Sequence, residues 1–314
     1  MILPLLYSSL AVFLAGNIVR FVQIAKMPAH LRWELYPIPR GSRGEAGYGA
    51  SYMEETEWWT RSRRPDRAAE LRVILGEVFL LKGVWKHNRP LWVWSWLLHT
   101  ALYLLIATFG IAGLVSVLEH ESPTSISTLE SLFRVSGNDV VRLLMWVFSA
   151  AGSAGSAGLI AVRLASPRLR RFTSTSFFLN LSVLFLIFTT AGISLFTDPG
   201  AARNAVSLAG ALVRLNPAPG LTPVETGHVA VLSLFVLYFP FTHMTHMFLK
   251  FFTFHRIRWD DAPLRGNRSL ELDVARSLNA RVTWSAPHIR GMGTKNWTEI
   301  AAEGNIDGPE GPQN

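Results

Sequence analysis

The sequence predicts an all-α fold in which five transmembrane helices form a bundle. Hydrophobic residues make up 49% of the 314 residues, the mean hydropathy is +0.25, and the apolar residues fall into separate long runs. Each run is close to or above the roughly 20 residues that an α-helix needs to cross the hydrocarbon core. The formal net charge of +8 is spread over alternate loops. We therefore expect contact with membrane lipid and no binding of nucleic acid.

The first apolar run, residues 1–19, contains no charged side chain. We interpret it as a retained helix, because a signal peptide would have basic residues before its apolar run. A long polar segment, 27–90, follows and includes a predicted amphipathic surface helix over 67–85. The remaining spans are predicted at 91–118, 143–162, 172–197 and 226–249. The chain thus divides into a membrane domain, 1–255, and a cytoplasmic tail, 256–314, which we expect to be loosely ordered or to lie against a partner.

The third span has a face of small residues. Gly152, Gly155 and Gly158 recur at helical spacing, with serines and alanines between them. Small side chains let the backbones of two membrane helices approach closely. We expect this face to pack against neighbouring spans.

The basic residues predict the orientation. Segment 20–90 holds 13 Lys or Arg and the chain from Lys250 onward holds nine, whereas the connection between the second and third spans holds Arg134 and Arg142. Lys and Arg accumulate in cytoplasmic loops. The N-terminus is therefore predicted outside and the C-terminus in the cytoplasm, which requires an odd number of spans.

The last span carries the clearest chemical signal. From 226 to 249 it has no Asp, Glu, Lys or Arg, but it has three histidines. In a continuous helix, His228 and His246 are 18 residues or five turns apart, on one face and about 27 Å from each other. An ionisable residue within a span is a functional-site hypothesis, and imidazole is a common axial ligand of haem iron.

A second ligand is predicted on the second span. His99 lies about two turns inside the inner surface and His246 about one turn inside it, on antiparallel helices. A facing pair of this kind is what a bis-histidine haem b requires. The alternative is that each imidazole only bonds a helix carbonyl. The chain has no cysteine, which excludes covalent c-type haem and Cys-ligated iron–sulfur clusters.

Three further histidines allow more than one interpretation. His228 lies near the outer end of the last span, and its partner is open. His120 is either a second ligand of an outer haem or a solvated residue at the helix end. His243 is about one turn before His246 and is interpreted as a hydrogen-bond partner of a haem propionate or quinone.

These features resemble a known family. Five spans with an external N-terminus, and the segment Phe239-Pro240-Phe241 between His228 and His246, are similar to the gamma subunit of respiratory nitrate reductase. Its relatives include the cytochrome b subunits of Dsr-, Hmc- and Tmc-type sulfate-reducer complexes and of membrane-bound heterodisulfide reductase. The resemblance covers about residues 1–255, and the stretch from Asn88 to His99 is closer to the sulfate-reducer branch.

The resemblance implies two b haems. The inner haem would use His99 and His246, and the outer haem His228 with a residue ten positions after His99, where this chain has Phe109. We therefore expect one tightly bound haem, with His228 left for quinone hydrogen bonding or an unusual second site. Menaquinone or ubiquinone is implied as substrate. A cytoplasmic iron–sulfur or catalytic subunit, other membrane or periplasmic redox subunits, and a bacterial or archaeal inner membrane are also implied.

Two rival functions remain at this stage. The first is a haem-free membrane anchor or scaffold subunit of a redox complex. The second is a small transporter that uses His228 and His243 as proton sites. The sequence has no inverted repeat or paired broken helices of the kind that many transporters have, which disfavours the second rival.

Overall fold

The computed structural model describes residues 2–26, 67–217, 219–252, 268–286, 289–290 and 292–303. The helices in chain order are α1 (Ile2–Ala25), α2 (Arg67–Leu80), α3 (Lys82–His87), α4 (Arg89–Glu121), α5 (Pro123–Phe133), α6 (Gly137–Ala165), α7 (Pro167–Arg171), α8 (Thr175–Thr197), α9 (Ala201–Arg214), α10 (Pro223–Tyr238), α11 (His246–Lys250), α12 (Arg268–Leu278) and α13 (Trp297–Ala302). Two short strands, β1 (Ser285–Ala286) and β2 (Ile289–Arg290), form an antiparallel pair.

Within the described residues, five helical segments are long and apolar enough to cross a membrane. They are α1, α4, α6, α8 and the stretch from α10 to Phe241. This confirms the predicted all-α class and the number of spans. The chain forms two compact units, one of Met1–Ile18 with Arg72–Thr245 and one of Val19–Leu71 with His246–Asn314.

The core of the first unit lies where α4, α6 and α8 pack together. Buried side chains of this core include Leu98, Val141 and Phe188. A Cβ added at Gly152 would come within 2.2 Å of the Phe188 ring, and a Cβ at Gly155 within 2.6 Å of the backbone nitrogen of Leu98. Both distances are shorter than any ordinary contact. The predicted small-residue face on the third span is therefore confirmed.

Helix α4 is longer than the predicted second span. Its 33 residues give a length of about 50 Å, which exceeds the hydrocarbon thickness of about 30 Å. The Asn88 side chain caps its N-terminus by accepting a hydrogen bond from the Leu91 amide. The last turn, which includes His120, lies beyond the predicted end at residue 118.

The C-terminal end of α2 is bonded to α4 by three aromatic side chains. Trp92 donates to the carbonyl of Leu80, Trp96 to that of Phe79 and Tyr103 to that of Val78. Helix ends leave such carbonyls without intrahelical partners. The predicted amphipathic helix over 67–85 is divided at Leu81, whose positive φ of 47° separates α2 from α3.

Helix α9 lies between the fourth and fifth spans, in the segment that connects the predicted spans 172–197 and 226–249. Its small residues, including Ala202, Ala209 and Gly210, are buried against the bundle. The Arg214 guanidinium at its end donates to the carbonyl oxygen and to the hydroxyl of Ser116 on α4, at 2.9 and 3.0 Å. These two hydrogen bonds hold α9 against the end of the second span.

The prediction of one continuous helix over 226–249 is wrong. Regular α-helix ends at Tyr238, and two 3-10 turns follow, Phe239–Phe241 and His243–Thr245. Pro240 has no N–H to donate, and Thr242 has an extended backbone with ψ of 167°. The five-turn spacing that placed His228 and His246 on one face therefore does not hold.

Part of the tail is folded. In the second unit, α12, the β1–β2 pair and α13 surround Val282, which is 2% exposed. The Trp284 and Trp297 rings meet edge to face at 6.1 Å between centroids. These residues are therefore ordered, and the alternative expectation, that the tail lies against a partner, stays a prediction.

Candidate functional site

His228 is held by the fourth span. It lies near the start of α10, and its Nδ1 is 2.9 Å from the Thr190 hydroxyl oxygen on α8. That hydroxyl lies 2.7 Å from the Leu186 carbonyl oxygen, to which it donates its single proton. The hydroxyl therefore accepts from His228. In that arrangement Nδ1 carries the ring proton, and a backbone hydrogen bond with Ile187 is a further polar contact of this imidazole.

A small cavity adjoins His228. It has a volume of about 120 Å³ and is lined by residues of α1, α4, α6, α8, α9 and α10 together with Leu221, with polar atoms from Thr108, Asn204 and Glu225. Phe109, at the position where the resemblance implies the second outer ligand, also lines it. The structure thus brings His228 and Phe109 to the same space.

A buried carboxylate completes the polar side of this cavity. Glu225 is 6% exposed and accepts hydrogen bonds from the Thr222 amide and hydroxyl, at 2.8 and 3.0 Å. Asn204 on α9 donates to Glu225 at 3.0 Å and to Asp198 at 3.0 Å. These bonds cap α10 and tie α9 to it, so Glu225 is fixed one turn from His228.

His99 bonds a carbonyl of its own helix, which is the contact that the alternative interpretation of this histidine predicts. Its Nδ1 is 2.7 Å from the Ser95 carbonyl oxygen, and a carbonyl can only accept. Nδ1 therefore donates, and Nε2 carries the lone pair. Tyr103, one turn further along α4, lies with its ring centroid 6.5 Å from that of His99.

His246 and His243 follow the break in the last span. His246 begins α11 and belongs to the second unit, whereas His99 belongs to the first. The pairing of His99 with His246 stays a prediction. His243 stacks on Phe177 of α8 with centroids 4.5 Å apart, and its Nδ1 is 3.4 Å from the Asn180 amide nitrogen. Arg163 lies over Phe177 at 4.5 Å.

His120 lies away from the other candidates. Its side chain is 61% exposed in the last turn of α4, and its Nδ1 is 3.2 Å from the Glu121 carboxylate. It is not among the residues that line the His228 cavity. This geometry matches the solvated interpretation of His120.

The two ends of the first unit fit haem differently. His99 presents an imidazole whose Nδ1 is bonded to a carbonyl, as is usual for metal-bound histidines. The cavity at His228 is too small, because sites for ligands of even moderate size have volumes of about 300–1,000 Å³. Among the described residues, no group of three or more His, Cys, Asp or Glu could hold a metal ion, but a bis-histidine haem needs only two protein ligands.

Thr190, Asn204 and Glu225 are not among the site residues predicted from the sequence. One signal was present, because Thr222 and Glu225 have the spacing of a capping box and mark the true start of α10. No local signal links Thr190 or Asn204 to His228 or Glu225, since these pairs come from different helices. In comparisons with family models, with curated proteins and with solved structures, nothing matches this chain.

Proposed function

We propose that this chain is a haem b subunit of a membrane respiratory complex, passing electrons between membrane quinone and a cytoplasmic iron–sulfur partner. The observation that carries the proposal is the 2.7 Å distance between His99 Nδ1 and the Ser95 carbonyl oxygen. In His99, Nδ1 is bonded to the Ser95 carbonyl, so Nε2 has the lone pair that an iron ligand needs. His246 is proposed as the second ligand. Bound haem would supply one-electron redox chemistry between these imidazoles.

The protein's own groups would orient and insulate the site. The Ser95 carbonyl fixes the His99 ring and raises its basicity as a ligand. Trp96 and Tyr103, about one turn before and after His99 on α4 and bonded to α2, would screen it from water. His243 and Arg163, which share the Phe177 ring, are proposed to hydrogen-bond a propionate or a quinone oxygen.

The outer end is proposed to work without a second six-coordinate haem. Phe109 occupies the implied ligand position, and the cavity beside His228 is small. His228 would then hydrogen-bond menaquinone or ubiquinone in a state in which this cavity is wider than the 120 Å³ of the structure. The arginines of the connection after the third span, Arg168, Arg170 and Arg171, are exposed and are proposed to meet an acidic face of the cytoplasmic partner.

The haem content tests this proposal directly. We expect purified protein to give a reduced-minus-oxidised spectrum of b type and about one haem per chain by pyridine haemochrome analysis, because a pair of histidine ligands is proposed at one end only. Two haems per chain would contradict the single-haem proposal. If one of two haems were lost in His120→Ala, His120 would be the substitute ligand.

A haem-free anchor is the second candidate function. The observation that favours it is the replacement of an implied ligand by Phe109 at the His228 cavity. An anchor would show no b-type spectrum after purification with haem supplied in excess. Such a chain would still hold its partner subunits at the membrane.

The orientation is proposed from the basic residues. In this cysteine-free chain, single cysteines introduced at positions 168 and 265 should react with impermeant maleimide only after the membrane is opened, because both positions lie in segments assigned to the cytoplasm. A cysteine at position 134 is the matched control and should react from outside. Labelling of position 265 in intact cells would reverse the orientation.

A further inference from the structure

Helix α2 carries an exposed apolar stripe, formed by Leu75, Val78 and Phe79, which are 37% to 52% exposed. At 3.6 residues per turn these positions lie within about 100° of one another around the helix. Glu77, the only acidic residue in 72–118, lies on the opposite face, and its carboxylate is 3.4 Å from the Gly83 amide nitrogen on α3. This part of α2 is therefore amphipathic, with its apolar side exposed.

The length and the charges of α2 exclude a membrane span. Its 14 residues give a length of about 21 Å, which is short of the hydrocarbon thickness of about 30 Å. It also contains Arg72 and Glu77. In water, the stripe would leave three large apolar side chains unburied. A helix of this kind is stable in the plane of the membrane surface, where its apolar side enters the boundary between headgroups and acyl chains.

Helix α4 places the end of α2 where a span enters the bilayer. Trp92 and Trp96 lie in about the first two turns of α4 and donate to the carbonyls of Leu80 and Phe79. Tryptophan is enriched at the level of the headgroups. The stripe therefore adjoins the lipid-facing surface of the second span.

Arg89 marks the same boundary on α4. Its guanidinium lies over the exposed Trp85 ring at 4.8 Å, and that ring packs edge to face on Trp92 at 4.6 Å between centroids. No Asp, Glu, Lys or Arg follows in 90–118. The charged end of α4 thus meets a long uncharged run beside the end of α2.

Two cations border the stripe. Arg72 is exposed, and it lies two turns before Phe79 and about 20° from it around the helix. Lys82 folds back over α2, since a Cβ added at Gly76 would be 2.9 Å from its ammonium nitrogen. Long basic side chains rest their stems on apolar surface and keep their charges in the headgroup layer. Their placement beside the stripe is complementary to phosphate groups at a bilayer surface.

Area and charge select the occupant of the stripe. Each partner in a stable protein complex buries about 800 Å², and three side chains that are about half exposed offer much less. A bilayer sets no such threshold, because binding grows with each apolar side chain that enters it. Residues 72–89 contain four Lys or Arg and one Glu. This excess of positive charge favours anionic over zwitterionic lipid.

We propose that residues 72–80 of α2 lie in the membrane interface, with the stripe among the acyl chains and with Arg72 and Lys82 bound to the headgroup phosphates of anionic phospholipid. Binding there requires neither bound haem nor a particular orientation of the chain, because α2 lies at whichever membrane surface α4 begins.

The first test measures the depth of the stripe with a nitroxide label on single cysteines of this cysteine-free chain, in liposomes of phosphatidylcholine and phosphatidylglycerol. Oxygen concentrates among acyl chains, whereas nickel-EDDA stays in water. The ratio of oxygen to nickel-EDDA collisions should be at least about threefold higher for Leu75→Cys and Phe79→Cys than for Arg168→Cys, the aqueous control on α7. Ile106→Cys, exposed on the second span, is the lipid control.

Two results of this measurement would overturn the proposal. A collision ratio at positions 75 and 79 equal to that at position 168 would place the stripe in water. Exclusion of both reagents would show that protein covers the stripe, as a second copy of the chain would.

The second test measures lipid selectivity. From an equal mixture of the two lipids, Arg72→Gln combined with Lys82→Gln should lower the ratio of phosphatidylglycerol to phosphatidylcholine retained by the purified chain about threefold to tenfold. Arg134→Gln combined with Arg203→Gln is the matched control, because it removes the same charge from two exposed arginines of other connections. Mass spectrometry of the retained lipid gives the ratio. Equal ratios in the two double variants would overturn the binding of anionic headgroups by Arg72 and Lys82.

Discussion

Replacing His99 with alanine should abolish the b-type spectrum, and His246→Ala should have the same effect. A low-spin, six-coordinate haem needs both axial imidazoles, and alanine supplies no lone pair. Changing even a group that only supports a metal ligand often costs about tenfold to a hundredfold in metal affinity, so loss of a ligand should reduce bound haem by at least about tenfold. Haem per chain, measured with the difference spectrum of each variant, gives the result.

His120 provides the matched control for His99. Both are on α4, but the His120 side chain is 61% exposed and paired with Glu121. His120→Ala should therefore keep the full haem content. If His99→Ala and His246→Ala each retained a complete low-spin spectrum, these two imidazoles would not be the ligands, and the inner site would have to be assigned elsewhere.

Gly155→Leu should disrupt the bundle more than any other single change considered. A Cβ at this position would lie 2.6 Å from the Leu98 nitrogen and 3.0 Å from the Trp94 carbonyl oxygen. Backbone atoms cannot rotate away as a side chain can, so α6 and α4 would have to separate. Overpacking typically costs about 1–3 kcal/mol, and a backbone collision belongs at the upper end. Thermal unfolding in detergent should shift down by roughly 6–12 °C.

The control for this change is on the facing helix. Gly110 lies on α4, and a Cβ added there meets nothing within 4 Å. Gly110→Leu therefore adds the same side chain to a span without a collision and should leave the unfolding temperature near that of the parent. Leu98 adjoins His99, so Gly155→Leu should also reduce haem binding. An unchanged unfolding temperature in Gly155→Leu would show that α4 and α6 do not pack as described.

The sequence was sufficient for the number of spans and for the packing face of α6. Long uncharged runs have few alternatives in a chain of this composition, because every backbone polar group must be bonded internally in lipid. The glycine spacing of α6 is a local pattern that depends only on the helical period. Both predictions therefore needed no knowledge of distant contacts.

Other features depended on contacts that local patterns do not encode. Helix α9 has few large apolar residues, and its alanines are buried because α4 lies against them. The end of regular α-helix at Tyr238 could not be predicted from hydropathy, because the residues before and after it are both apolar. Pro240 was the one local signal for a helix break. The tautomer of His228 depends on Thr190, which is 38 residues away in the chain.

Three aromatic side chains of α4 donate hydrogen bonds to the last carbonyls of α2, and this affects whether that helix end needs water. Helix ends usually rely on water for their last carbonyls, which keeps them outside the hydrocarbon. Here the indoles of Trp92 and Trp96 and the phenol of Tyr103 take the place of that hydration shell for Leu80, Phe79 and Val78. The end of α2 can therefore lie beside the face of α4 that carries His99 with these three carbonyls bonded without water.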